Sequence, residues 1–282
     1  MKPASMIQLY LNRLYSISVF LGVDLQKTIA NLRGYPKYLH NLRKLRTSIL
    51  TNELEPIPGS VRCFGKPYPI VDEFYAPAGN ASGHYFHQDL LVANYIYNDK
   101  PSLHLDIGSR IDGFIAHLLA FEQQTVLGDI RPVLINNPNI SFVRMDLMGH
   151  VDSALLGSYE SISCLHAIEH MGLGRYGDPV NAYGHYQALK NLCHLLSKSG
   201  IMYLSFPIGK ESRIEYNAHR VVSLAESRAM FRSTGLVVRN FAYVDDAGNL
   251  FVIDDLGEID WQSSYNLTYG CGIWSLTKDG AT

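Results

Sequence analysis

Residues 161–174 read SISCLHAIEHMGLG, in which His166, Glu169 and His170 follow the pattern H-x-x-E-H. On a single helix, that spacing lets two imidazoles hold a zinc ion while the glutamate activates water, with a third ligand arriving from elsewhere. The surrounding residues oppose this use. The motif directly follows SISCL, a strand-like apolar run, and meets Gly172 and Gly174 within four residues of its last histidine, so a stable helix is not expected. Residues 227–257 contain no glutamate to serve as a downstream ligand. The expectation is a site without a metal, in which the histidines and the carboxylate serve another chemistry.

Three more carboxylates stand where chemistry is expected, each closing a short apolar run. Asp106 ends LHLD and is followed by Ile107, Gly108, Ser109 and Arg110; Asp129 ends TVLGD 23 residues later; Asp146 ends SFVRMD. Small residues after Asp106 let backbone N–H groups approach a ligand, and a carboxylate at 129 can accept both hydroxyls of a ribose. Capping of the following helix or turn is the structural use of the same acids. Downstream, PIGKESRIEYNAHR supplies Lys210, Arg213, Tyr216, His219 and Arg220, donors suited to an anionic or polyhydroxylated substrate or, equally, to a solvated loop.

The elements that must hold these residues follow from the pattern. From residue 102, runs of strand length (LHLDIG, TVLGDI, ISFVRMD, SISCLH, GIMYLSF) alternate with helical segments such as FIAHLLAFEQQ and AYGHYQALKNLCHLL. Such alternation predicts an α/β fold with a mostly parallel sheet, since parallel strands need crossover connections. The carboxyl ends of those strands are where an open α/β sheet binds its ligands. Two late β-like segments, LVVRNFAYVDD and YNLTYGCGIWSLTK, have no long helix between them and are expected to pair antiparallel at the sheet edge. The domain reading is a basic helical arm over 1–55, an irregular connection and lead-in helix over 56–101, and the α/β domain over 102–282. Within the arm, helices are expected near 24–33 and 36–51, separated at Gly34-Tyr35-Pro36.

Composition narrows the classes. The 282 residues are 47% hydrophobic, enough for a sizeable core, and carry a net charge of −2. Residues 1–46 hold eight basic side chains against Asp24 alone, a charge of +7 that leaves the remainder at −9. The acidic body and the lack of a basic-aromatic strand pattern argue against nucleic acid. The arm suits peripheral contact with an anionic membrane surface or an assembly partner. SISVFLGV near the N-terminus is too short to span a bilayer. Cys63, Cys164, Cys193 and Cys271 form no C-x-x-C pair and read as reduced thiols of a cytoplasmic protein.

Taken together, LHLDIGS, Asp129, Asp146 and CLHAIEH resemble the class I S-adenosylmethionine-dependent methyltransferases, over roughly residues 100–278. FHQDLLVA, DIGSRIDGF and GDIRP are also similar to an uncharacterised methyltransferase-like family associated with bacterial surface-polysaccharide assembly. The resemblance implies a Rossmann-like sheet with an antiparallel edge strand and an N-terminal helical extension. It also implies S-adenosylmethionine, bound without a metal by Asp106, Gly108, Ser109, Arg110, Asp129 and Asp146. Arg110 and Asp112 stand where the family's turn carries glycine; Arg110 either meets the methionine carboxylate or swings into solvent. Methyl transfer is an in-line displacement and a sugar hydroxyl is a poor nucleophile, so a base helps. His166 is the expected base, Glu169 and His170 orient it or the substrate, and Arg213, Tyr216 and His219 contact the substrate. The implied function is O-methyl transfer to a sugar or glycan intermediate, in the cytoplasm or peripherally at the inner membrane surface. The alternatives are a non-catalytic binding or scaffold subunit of the same fold, or a nucleotide-sugar enzyme.

Overall fold

The computed structural model describes residues 14–51, 66, 68–108 and 110–279. They fall into two compact units, 1–80 and 81–282. In the first, helix α1 (Leu25–Thr51) starts where the Asp24 carboxylate accepts the Lys27 N–H at 3.0 Å. The expected break at Gly34-Tyr35-Pro36 does not occur, and α1 runs through Pro36 as one helix. Proline removes one backbone donor and disfavours an interior position by about 3 kcal/mol. Two residues before Pro36, the Val71 carbonyl lies 2.0 Å from where a Cβ on Gly34 would stand, so only glycine lets the two segments meet. Lys27 pairs with Asp72 at 3.4 Å, and the Lys37 ammonium lies over the rings of Phe74 and Tyr75 at 4.9 and 5.1 Å.

The second unit begins with α2 (His84–Asp99), which lies on one face of an eight-stranded sheet. The strands are β1 (His104–Ile107), β2 (Thr125–Asp129), β3 (Ile140–Arg144), β4 (Tyr159–Leu165), β5 (Leu196–Ile208), β8 (Leu236–Val244), β9 (Leu250–Ile253) and β10 (Gly270–Lys278). β6 (Arg213–Glu215) and β7 (His219–Val221) form a separate small hairpin. Sheet order is β3-β2-β1-β4-β5-β10-β8-β9; the first five strands are parallel, and β10 runs antiparallel to both β5 and β8. This is the α/β, Rossmann-like sheet expected from the alternation, with β9 as the antiparallel edge strand. The two late segments pair as expected, but β10 inserts between β5 and β8 instead of ending the sheet. Burial accounts for that order: β10 is buried along Gly270–Leu276, whereas β9 has no buried residue and suits an edge.

Helices cover both faces. Leu105, Ile107, Ile162, Cys164, Met202, Leu204 and Trp274 pack against α4 (Gly184–Leu195) and α5 (Leu224–Ser233), with Trp274 stacked on Phe241 at 3.9 Å. On the other face, Leu127, Leu165, Tyr203 and Ile273 pack against α2, a turn at Ile111–Ile115 and the short helix α3 (Ala116–Leu119). Alternation along β1 and β4 places His104, Asp106, Ser161 and Ser163 on this second face, where they form one buried polar chain. Ser163 Oγ donates to Asp106 and therefore accepts from His104 Nε2, leaving Nδ1 to accept from Ser161. Burial lowers the His104 pKa to about 3, so its ring stays neutral. Strand order turns around β1, which lies between β2 and β4, so the crevice beyond the ends of β1 and β4 is the expected binding position.

Candidate active site

A cleft opens at those strand ends. Ile107 and Gly108 follow β1, Asp129, Ile130 and Arg131 follow β2, Asp146, Leu147 and Met148 follow β3, and His166, Ala167 and His170 follow β4. Met171, Tyr176 and Asp178 complete the wall. Its thioether and aliphatic walls suit a flat apolar ring. Gly108 has φ +70°, and a Cβ there would lie 3.1 Å from that of Ala167, so the turn after β1 needs a residue without a side chain.

Asp129 already has a partner. Its Oδ1 accepts from the Arg131 backbone N–H at 2.8 Å and from Nε at 3.0 Å, and its Oδ2 accepts from Nη2 at 2.8 Å. Burial pushes this carboxyl upward, yet the Arg131 hydrogen bonds outweigh it and hold the pKa below the usual range. The Arg131 guanidinium also lies over the Tyr176 ring, 4.4 Å from its centre. Asp146 accepts the Met148 N–H at 2.9 Å and lines the cleft.

The H-x-x-E-H residues are set by the exit from β4. His166 has φ +48°, a left-handed conformation that costs a non-glycine residue on the order of 1 kcal/mol. Its N–H is held between the Ser205 carbonyl and Oγ, each at 3.0 Å. A short 3-10 turn, Ile168–His170, then folds Glu169 back under His166, and Nδ1–H donates to Glu169 Oε1 at 2.7 Å. Both side chains are buried, and His166 Nε2 has no hydrogen-bond partner among the described residues. Burial lowers the His166 pKa, but Cys271 and the Glu169 carboxylate overcome this and hold it well above the ordinary value. His170 points elsewhere, its Nδ1 donating to the Ala218 carbonyl at 2.6 Å, and burial lowers its pKa. The two histidines do not share a helix face as the hydrolase pattern requires.

The remaining sequence-predicted residues are dispersed. Asp106 is a buried residue of β1 itself and borders a neighbouring cavity shared with Gly108 and Asp129. Ser109 lies outside the described residues. Arg110 projects outward, pairs with Asp112 at 3.1 Å, and does not line the cleft. Arg213, Tyr216 and His219 sit on the β6–β7 hairpin and its turn: Arg213 donates to Glu215 and Thr268, Tyr216 is exposed, and His219 lies over Tyr269.

Sequence reading missed the groups that brace the site. Arg220, expected as a substrate donor among its neighbours, is buried and donates to the carbonyls of Glu169, Met171, Asn181 and Ala182, pinning the loop beyond β4. Asp178 accepts the N–H groups of Gly172, Gly174 and Tyr176 in the same loop. Gln88 accepts from Ser205, and His84 stacks on His166 at 5.2 Å. Only Asp178 had a local sequence signal, an acid following glycines in a turn-rich stretch.

Residues 138–241 match a family described as "Caenorhabditis protein of unknown function, DUF268". No curated protein is similar to the chain. Among solved structures, the chain is similar to a Burkholderia thailandensis 1,6-didemethyltoxoflavin-N1-methyltransferase, crystallised with 1,6-didemethyltoxoflavin and S-adenosylhomocysteine. Identity is 11%, coverage is 68% of this chain and 79% of that one, and the TM-score is 0.46. The N-methyltransferase NodS from Bradyrhizobium japonicum WM9, in complex with S-adenosylhomocysteine, matches at 10% identity, 70% and 88% coverage and a TM-score of 0.43. The [4+2]-cyclase SpnF matches at 12% identity, 68% and 81% coverage and a TM-score of 0.49. Likeness at this distance assigns no reaction, because one fold hosts several chemistries.

Proposed function

We propose that the chain is a methyltransferase that binds S-adenosylmethionine in the strand-end cleft and methylates a hydroxyl of a sugar or glycan intermediate. The observation that carries this reading is the cleft itself, where Asp129 and Asp146 close β2 and β3 around apolar walls beside Gly108. On this reading, Asp129 takes the ribose diol, Asp146 faces the adenine amine, and Leu147 and Met148 flank the ring. The methyl group then lies toward His166, whose neutral Nε2 accepts the acceptor's proton while Glu169 fixes the ring's orientation. His170 forms part of the wall, and the β6–β7 hairpin, with Arg213, Tyr216 and His219, contributes to the acceptor's surroundings. The solved N-methyltransferases named above were crystallised with S-adenosylhomocysteine, which agrees with this choice of ligand.

Calorimetric titration with S-adenosylhomocysteine tests the reading. Two hydrogen bonds to a charged group contribute about 1.5–3 kcal/mol each, so Asp129→Ala should weaken binding by at least about 100-fold. Absence of binding by the unmodified chain would sink the proposal. A second reading, an enzyme of nucleotide sugars, is favoured by one observation: Arg131 sits in the cleft as a guanidinium able to meet a diphosphate. For the basic arm we propose peripheral contact with an anionic membrane at its inner surface. No described helix is long and apolar enough to cross a membrane.

A further inference from the structure

The orphaned Nε2 of His166 points to a second site. His84, at the first turn of α2, His166, at the end of β4, and Cys271, at the start of β10, come from distant parts of the chain. Each offers one ligand atom, and the three atoms lie within 4.8 Å of one another. We infer that His84, His166 and Cys271 form a binding site for a borderline-soft divalent ion such as Zn²⁺, beside the strand-end cleft that His166 also lines.

Three features support it beyond proximity. First, the donor set of two imidazoles and a thiolate is one that zinc accepts, at about 2.0–2.1 Å for nitrogen and 2.3 Å for sulfur. Second, His166 gives its other nitrogen to Glu169 at 2.7 Å, the carboxylate–histidine arrangement that turns the free nitrogen and its lone pair toward a metal. Third, His166 is buried, and its Nε2 has no hydrogen-bond partner among the described residues. His84 lies beside the Tyr269 backbone carbonyl, which favours a proton on the nitrogen it faces and leaves the other for an ion.

Binding requires a modest rearrangement. The His84 and His166 rings face each other at 5.2 Å with planes 8° apart, whereas ligands of one ion aim their ring planes at a common point. Tetrahedral ligand atoms at these bond lengths stand roughly 3.5 Å apart, so the trio must contract and the half-buried His84 ring must turn. Cys271 Sγ lies 3.9 Å from Gln88 Oε1, a weak contact that coordination would replace. Three protein ligands leave a fourth position for water or an acceptor hydroxyl, the pattern of catalytic rather than structural zinc. With the ion in place, Nε2 is a ligand, and lowering the hydroxyl's pKa falls to the metal. This departs from the metal-free expectation drawn from the H-x-x-E-H context, because the ligands here are not that motif's pair.

The test uses the full chain, stripped with chelator and titrated with Zn²⁺ and with Co²⁺. The expected result is about one equivalent of Zn²⁺ retained after desalting, with thiolate-to-cobalt charge-transfer absorption in the Co²⁺ form. Cys271→Ser should abolish that absorption. His84→Ala, at a half-buried helix start where folding is not at stake, should weaken Zn²⁺ binding by at least about 10-fold. Retention far below one equivalent, or binding unchanged in His84→Ala, would overturn the inference. S-adenosylhomocysteine affinity is measured alongside on the unmodified chain, with and without Zn²⁺. Metal retained without adenosyl binding fails only the methyltransferase reading, and adenosyl binding without metal retention fails only the metal site, so the two failures are distinguishable.

Discussion

Arg131 occupies the carboxylate that the proposed ribose needs, and Arg131→Ala isolates that competition. The Asp129 carboxylate offers about four lone-pair positions. Three are taken, one by the Arg131 backbone N–H and two by its guanidinium. A diol donating two hydrogen bonds must therefore displace at least one guanidinium contact. Removing the side chain frees both positions and keeps the backbone bond. The pair is half in solvent, with the Arg131 side chain 51% exposed against 14% for Asp129, so its attraction is screened and contributes at most about 1 kcal/mol. Its stacking on Tyr176 adds about 0.5–1 kcal/mol that a displaced side chain would also forfeit. Arg131→Ala is thus expected to tighten S-adenosylhomocysteine binding by a factor between about 2 and 30, read by calorimetry at low salt. The gain should shrink as salt rises, because screening already weakens the pair it removes. A loss of affinity of tenfold or more would refute this reasoning and show that Arg131 contacts the ligand directly. If a nucleoside diphosphate then bound the unmodified chain and lost its affinity in the variant, the nucleotide-sugar reading would replace the first.

Three other expectations follow from charge. His166 must be neutral to accept a proton and its pKa is raised, so turnover should fall on the acid side with a limb displaced above the ordinary histidine value near 6.5. Glu169→Gln removes one of the raising charges and should move that limb to lower pH; an unshifted limb would remove His166 from the reaction. The same shift contributes folding stability that is complete below the ordinary value and is lost as pH rises through the raised one, so the limb in activity and the loss of stability should coincide. The arm, with eight basic residues against one acid over 1–46, should carry the chain down with vesicles containing phosphatidylserine, and sedimentation should decline with salt. Equal sedimentation with neutral vesicles would refute an electrostatic contact.

The framework of this protein is written locally, and the site is not. Five short apolar runs, each closed by a polar residue or a turn, suffice to place β1–β5 and therefore Asp129, Asp146 and His166 around one crevice, because parallel strands with crossover helices leave few topologies. β10 was legible as a strand but not as an interior one, since a segment cannot announce which neighbours will bury it. Pro36 shows the converse, a strong local signal through which α1 nevertheless runs, beside a contact of Gly34 with Val71, 37 positions along the chain. The site's chemistry depends on such distant meetings. Arg131 was visible only as the residue two places after an acid, yet its geometry decides whether Asp129 is available. His84 and Cys271 carried no spacing signal at all, because 81 and 104 residues separate them from His166. What the sequence does contain is the constraint that makes their meeting consequential. His166 is turned by the left-handed exit from β4, tied through Nδ1 to Glu169, and left with one unpartnered nitrogen in a buried place. A proton acceptor and a metal ligand both need that nitrogen, and only one can use it at a time; metal content and the pH limb therefore report on the same atom from opposite sides.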